Sequence, residues 1–131
     1  MTSPHILVVD DQPDIRHLLS MFFSRCGFTV SQAEDGQDGI EMARALHPDV
    51  IVMDIQMPRK TGLEAVRELR TDPQFAHIPI LAITAYAHVH VPTELAHAGF
   101  NHVLFKPIDF GVLQQIVTDE LAAHVPEHAA Q

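Results

Sequence analysis

In the stretch Val50-Ile-Val-Met-Asp-Ile-Gln-Met57, which leads into Pro58, four apolar residues run unbroken into an aspartate. A run of that kind fits a strand buried on both faces, as at the centre of a parallel sheet, and not the alternating pattern of a half-exposed strand. The carboxylate after it then falls at the strand's carboxyl end, where open α/β sheets place their sites. Asp54 is that carboxylate. It also has a plainer reading as the start of a turn ahead of Pro58, since aspartate opens turns and proline restricts the residue before it. Its neighbours decide between the two.

The rest of the chain supplies partners for such a strand. Ile6 to Val9 is a second apolar run, and it ends in Asp10-Asp11, so it too delivers carboxylates at its far end. Pro13 suits a first helical turn, and Ile15, Leu18, Leu19, Phe22 and Phe23 follow at helical spacing until Gly27. Thr29 to Ala33 reads as a strand. Asp35-Gly36 turns the chain into a helix with Ile40, Met42, Ala43 and Leu46, which closes before Pro48. Beyond the loop from Gln56 to Thr61, Gly62 begins a helix with Leu63, Ala65, Val66 and Leu69 toward the sheet, ended by Asp72-Pro73. Ile78 to Ile83 is a fourth strand with Pro79 at its entrance. Thr84-Ala85 follows it, and Pro92 confines the next helix to about Thr93 to Ala98. Val103 to Phe105 is a short fifth strand before Lys106-Pro107, and Asp109 caps a last helix with Val112, Leu113, Ile116, Val117 and Leu121 along one face.

Strands alternating with helices in this way predict a doubly wound parallel α/β sheet of order 2-1-3-4-5, because parallel neighbours need helical crossovers of one hand. No repeat, linker or low-complexity segment divides the 131 residues, which predicts one domain with its core over about residues 5–124 and a frayed tail over 125–131. In that order the ends of the first and third strands are neighbours, so Asp10, Asp11 and Asp54 converge. Like charges held together need a countercharge, and an oxygen-only donor set selects a hard divalent cation, Mg²⁺ with Mn²⁺ as the alternative. Thr84 and Lys106 arrive at the same edge from the fourth and fifth strands. A hydroxyl and an ammonium beside a carboxylate and a divalent cation make a cradle for a phosphoryl group. Each of these residues has a bland account by itself, as a helix cap, a strand end or an exposed lysine; their conjunction carries the weight.

Val8-Val-Asp-Asp11, Met53-Asp-Ile-Gln-Met-Pro58, Gly62, Ile83-Thr-Ala85 and Lys106-Pro-Ile-Asp109 together resemble the motif set of response-regulator receiver domains of two-component signalling. The resemblance spans about residues 5–124 and implies a flavodoxin-like (βα)5 fold. It implies Asp54 as phosphoacceptor, with Asp11, Asp54 and the main-chain carbonyl of Gln56 holding Mg²⁺ and Asp10 close behind. Thr84 and Lys106 would bind the phosphoryl oxygens, and Thr84, Ala85, Tyr86 and Val103 would be switch and entrance positions. The implied donor is the phosphohistidine of a sensor histidine kinase or a histidine phosphotransfer protein. The implied catalysis is limited to the receiver's own aspartyl phosphorylation and dephosphorylation.

Some positions depart from that pattern. Val103 stands three residues before Lys106, where many receivers carry an aromatic side chain. A valine has no ring to swing, so movement of the loop from Tyr86 to Val91 is expected to carry the signal instead. His88 and His90 in that loop are expected to be solvated, since a His-x-His pair lacks a third ligand at evident spacing. Arg59 and Lys60 stand where many family members carry smaller or apolar residues; they either attract phosphate or a kinase, or are ordinary exposed cations. Gln56 and Tyr86 flank the entrance through which a hydrolytic water would come.

Charge and composition exclude other classes. The net charge of -9 disfavours a nucleic-acid surface or an anionic membrane and favours a cation or a basic patch on a partner. The single Cys26 makes no internal disulfide, and neither a secretory leader nor an apolar run of spanning length is visible, so a cytoplasmic location without membrane insertion is expected. A monomer or weak homodimer is expected, and Pro92 leaves the choice between them open by altering a helix that many receivers use for pairing. The few residues after the last helix leave no room for an output domain, so either a single-domain regulator or a piece of a larger protein is expected. A flavin-binding module on the same fold would cradle phosphate with Ser, Thr and Gly amides, whereas Asp10-Asp-Gln-Pro-Asp14 would repel it. A haloacid-dehalogenase-like phosphatase wants a second aspartate two residues after the nucleophile, where Gln56 stands. A receiver kept only as a docking surface is disfavoured by the intact Asp11, Asp54, Thr84 and Lys106.

Overall fold

The computed structural model describes residues 3–85 and 92–123. Strands β1 (His5–Val9), β2 (Thr29–Ala33), β3 (Val50–Asp54), β4 (Ile80–Thr84) and β5 (His102–Phe105) form one five-stranded sheet in the order β2-β1-β3-β4-β5. All neighbours are parallel, with Val9 beside Ala33 and Met53, Asp54 beside Ile83, and Thr84 beside Phe105. The carboxyl ends of the strands therefore reach one edge together. The crossovers are α1 (Pro13–Arg25), α2 (Gly36–Leu46), α3 (Gly62–Arg70) and α4 (Pro92–Ala98), and α5 (Phe110–Ala123) follows β5. The doubly wound order expected from the sequence is the observed one. β4 begins two residues later than its apolar run suggests. Pro79 has no N–H to give, and the Ile80 amide donates to Asn101 Oδ1 at 2.8 Å.

Parity along the strands divides the core. Leu7, Val9, Ile51 and Met53 pack with Ile40, Ala43, Val66, Leu69 and Leu95 of α2, α3 and α4. Ile6, Val8, Val50 and Val52 pack with Leu19 and Phe23 of α1 and Leu113 and Val117 of α5. Each of these side chains larger than alanine contributes roughly 1.5–3 kcal/mol by leaving water, and β3, buried at every position, is covered on both faces. The loop from Tyr86 to Val91, with His88 and His90, and the tail after Ala123 lie outside the described residues.

Three expected apolar helix positions are on the surface, Leu46 at the end of α2 among them. Leu18 is 47% exposed and Val112 48% exposed. A helix lying on a sheet buries one row, which Leu19 and Phe23 form in α1 and Leu113 and Val117 in α5. The residue immediately before each row is rotated outward by roughly a quarter turn. Leu18 and Met21 instead border a shallow apolar hollow with Phe22, Arg25 and Phe110.

The helix ends follow local chemistry. Asp35 caps α2 by accepting from the Asp38 amide at 2.9 Å, and Asp109 caps α5 by accepting from the Val112 amide at 3.1 Å. Thr61 and Glu64 form a reciprocal capping box at the start of α3. At the other end of α3, Arg70 donates to the carbonyls of Phe75, Ile78 and Gly99 and to Asn101 Oδ1, at 2.7 to 3.0 Å. This half-buried guanidinium joins α3 to the entrance of β4 and to the turn after α4.

Candidate functional site

Asp54 ends β3 and is 6% exposed; Asp10, directly after β1, is 1% exposed. Their side chains and that of Asp11 each place a carboxylate oxygen within 4.8 Å of the others. Lys106, directly after β5, sets its Nζ 3.6 Å from Asp10 Oδ2 and 3.7 Å from Asp54 Oδ2. Thr84 ends β4 and is buried, and its carbonyl accepts from the Lys106 amide at 2.9 Å. The topology thus gathers Asp10, Asp11, Asp54, Thr84 and Lys106 at one end of the sheet. An open hollow of about 250 Å³ there is lined by Asp11, Gln12, Asp54, Gln56, Ala85 and Lys106. Val103 lies apart from it on β5, beside Ala82, and packs into the core under α2, α3 and α4. Tyr86 lies outside the described residues.

Charge is crowded in this hollow. Burial pushes the Asp54 carboxyl up to about 6, and the Asp10 charge adds to the rise against the opposing pull of Lys106 and the Gln56 amide. Asp10 is raised as well, chiefly by burial, while the Gln12 amide and Lys106 hold it down. One ammonium against three carboxylates leaves negative charge in excess. The donor set is oxygen only and clustered, which fits a small divalent cation such as Mg²⁺.

Backbone approach fixes the loop that carries this chemistry from β3 to α3. The Gly62 amide donates to the Ile55 carbonyl at 2.9 Å, and the Gly36 amide donates to the Lys60 carbonyl at 3.0 Å. A Cβ on Gly36 would stand 2.1 Å from that Lys60 oxygen, so the start of α2 also needs glycine where it meets the loop. Arg59 and Lys60 have partners within the protein: Arg59 pairs with Asp35 at 2.6 Å, and Lys60 pairs with Glu68.

Sequence reasoning missed Arg16. It sits in the first turns of α1, is 8% exposed, and donates from Nη1 to the main-chain carbonyl of Asp10 at 2.9 Å. It follows Asp10 by six residues and shares the buried row of Leu19 and Phe23, but an arginine between Ile15 and His17 reads from the sequence as an ordinary exposed one. It also missed the capping box, although Thr61-x-x-Glu64 carries that signature openly.

Residues 6–118 match the family profile described as the response regulator receiver domain. The chain belongs to this family. This receiver domain is 39% identical over 93% of its length to "Hybrid signal transduction histidine kinase D" of Dictyostelium discoideum, of which it spans 7%. It is 34% identical over 89% of its length to "Protein PilH" of Pseudomonas aeruginosa, of which it spans 97%. Of three of its curated relatives the receiver spans under half the length, 7%, 24% and 44%. In structure it resembles the receiver domain of sensor histidine kinase PA1611 from Pseudomonas aeruginosa, solved with a magnesium ion in the active site cleft. The TM-score is 0.85 at 29% identity, over 92% of this chain and 99% of that one. Among the described residues of the receiver, no helix is long and apolar enough to cross a membrane.

Proposed function

We propose that this receiver domain is a phosphoacceptor, taking a phosphoryl group onto Asp54 in a Mg²⁺-dependent reaction from a phosphohistidine of a histidine kinase or a histidine phosphotransfer protein. The observation that carries the reading is the Asp54 carboxylate, held at the end of a fully buried strand within 4.8 Å of two further carboxylates and 3.7 Å from Lys106 Nζ. As the P–N bond of the donor breaks, a P–O bond forms to an Asp54 oxygen, and the imidazole leaves with the electron pair. Asp54 must be ionised to attack, and Lys106 and the Gln56 amide favour its charged form. Lys106 then neutralises negative charge on the transferring oxygens, while Thr84 donates its hydroxyl to one of them.

Asp10, Asp11, Asp54 and the main-chain carbonyl of Gln56 would hold Mg²⁺, or Mn²⁺ in its place; the magnesium in the cleft of the PA1611 receiver supports this. The ion would offset the charge of phosphate and carboxylates together. Catalysis on this reading is confined to the protein's own aspartyl group, its phosphorylation and later hydrolysis, in a cytoplasmic two-component relay. Incubation with acetyl phosphate and Mg²⁺, followed by intact mass measurement, tests it. One added phosphoryl group is expected in the native protein and none in Asp54→Asn. Equal incorporation in both would overturn the assignment.

A further inference from the structure

We infer that Arg16 is a positioning residue for the acidic cluster, holding the peptide that joins Asp10 to Asp11 so that their two carboxylates grip a cation of Mg²⁺ size. The inference rests on the metal reading above and adds a residue to it. Arg16 Nη1 donates to the Asp10 carbonyl at 2.9 Å, and Arg16 Nε donates to Gln32 Oε1 on β2 at 3.1 Å. Its own backbone is anchored in turn: its amide donates to the Gln12 carbonyl at 3.0 Å, and its carbonyl accepts from Ser20 Oγ at 2.8 Å. Among the described residues no carboxylate lies in ion-pair range of Arg16. The guanidinium is therefore committed to a neutral carbonyl and a carboxamide, an unusual use for a buried charge and one that a planar fork serves better than an ammonium.

Asp10 is held on every side. Its amide donates to the Ala33 carbonyl at 3.1 Å, its Oδ1 accepts from the Gln12 amide at 2.9 Å, and its Oδ2 faces Lys106. Only Arg16 holds the carbonyl among these contacts. That carbonyl belongs to the peptide plane shared with Asp11, whose side chain is otherwise carried on a surface loop. Rotation of this plane would turn the Asp11 carboxylate away from Asp54. Mg²⁺ demands near-octahedral geometry at short distance, whereas Ca²⁺ accepts longer and looser coordination. Loss of the clamp therefore falls on Mg²⁺ selectively.

Nuclear magnetic resonance titrations with MgCl2 and CaCl2, following the Asp11 and Gln56 amides, test this. In Arg16→Gln the Mg²⁺ dissociation constant is expected to rise on the order of 10-fold, and that of Ca²⁺ less than about threefold. Arg16→Lys, which keeps one donor for the carbonyl, and Gln32→Ala, which removes only the outer partner, are expected to lose part of the preference; they carry the comparison if Arg16→Gln fails to fold. An unchanged Mg²⁺ to Ca²⁺ preference, or equal weakening of both ions, overturns the Arg16 assignment alone. A native protein that takes up neither ion overturns the metal reading and this inference with it.

Discussion

Gly62 lies against the backbone of Asp54 so closely that a Cβ built on it would stand 2.2 Å from the Asp54 carbonyl oxygen. The glycine lets the first turn of α3 tuck under the end of β3, and its amide donates to the Ile55 carbonyl. Gly62→Ala must push that turn and the end of β3 apart. We expect it to cost about 2–3 kcal/mol in urea unfolding and to shift the amide resonances of residues 54–57. A variant as stable as the native protein would show the contact to be soft.

Asp54 itself opposes folding when no metal is bound. Its carboxyl is raised from the ordinary 3.8 to about 6, first by burial and then by Asp10. The folded form thus holds a proton more tightly than the unfolded chain, so its stability contribution is present below the unfolded value and is lost as pH rises through about 6. Asp54→Asn is expected to raise the stability of the metal-free protein at pH 7, by up to about 3 kcal/mol, with the gain shrinking toward pH 4. Mg²⁺ should stabilise the native protein more than the variant. Melting curves across this range check both; a gain independent of pH would contradict the first.

Lys106 sits between two acids and, on our reading, works on the phosphoryl group more than on the metal. Lys106→Met should slow phosphorylation by acetyl phosphate on the order of 10²-fold while Mg²⁺ binding persists. Loss of Mg²⁺ binding in this variant would assign the lysine to the metal site.

Asp35 behaves in the opposite sense to Asp54. Burial pulls its carboxyl up, but the Asp38 amide and the Arg59 guanidinium together outweigh that and hold it below the ordinary value. Its contribution is therefore complete above the ordinary value and is lost as pH falls below it. Asp35→Ala is expected to cost about 1 kcal/mol at neutral pH through the lost cap, and to flatten the urea midpoint below pH 4. An unaltered acid limb would assign the acid sensitivity elsewhere.

Arg70 joins parts of the fold remote from the hollow. Arg70→Met removes donors from the carbonyls of Phe75, Ile78 and Gly99 and from Asn101 Oδ1. We expect a loss of about 3 kcal/mol, less than half of it restored by Arg70→Lys, and faster hydrogen exchange at Ile80 and Asn101. Unchanged exchange at both amides would contradict the bridging role.

The sheet order and the gathering of Asp10, Asp11, Asp54, Thr84 and Lys106 were legible because β1, β3, β4 and β5 are short, largely apolar runs leading into polar groups. Strand ends meet by topology alone, so side-chain detail is not needed to foresee them. What was not legible depends on tertiary contacts that leave no local pattern. The outward turn of Leu18 and Val112 is a matter of which row meets the sheet, and apolar spacing alone admits either row. Arg16 and Arg70 look like surface residues because their partners are backbone carbonyls and distant carboxamides with no acid among them, and a carbonyl has no residue type. The partners of Arg59 and Lys60 are the cap of α2 and a residue of α3, out of reach of any reading confined to their own loop.

The clamps at Gly36 and Gly62 act on the same short span of chain between β3 and α3, one near each end. A surface loop ordinarily absorbs an added or missing residue by bulging into solvent. This one is bolted near both ends by amide-to-carbonyl bonds across gaps too narrow for a methyl group. Any give is thus confined to the stretch between the bolts, and a side chain added at either glycine would have to displace the start of α2 or Asp54 itself.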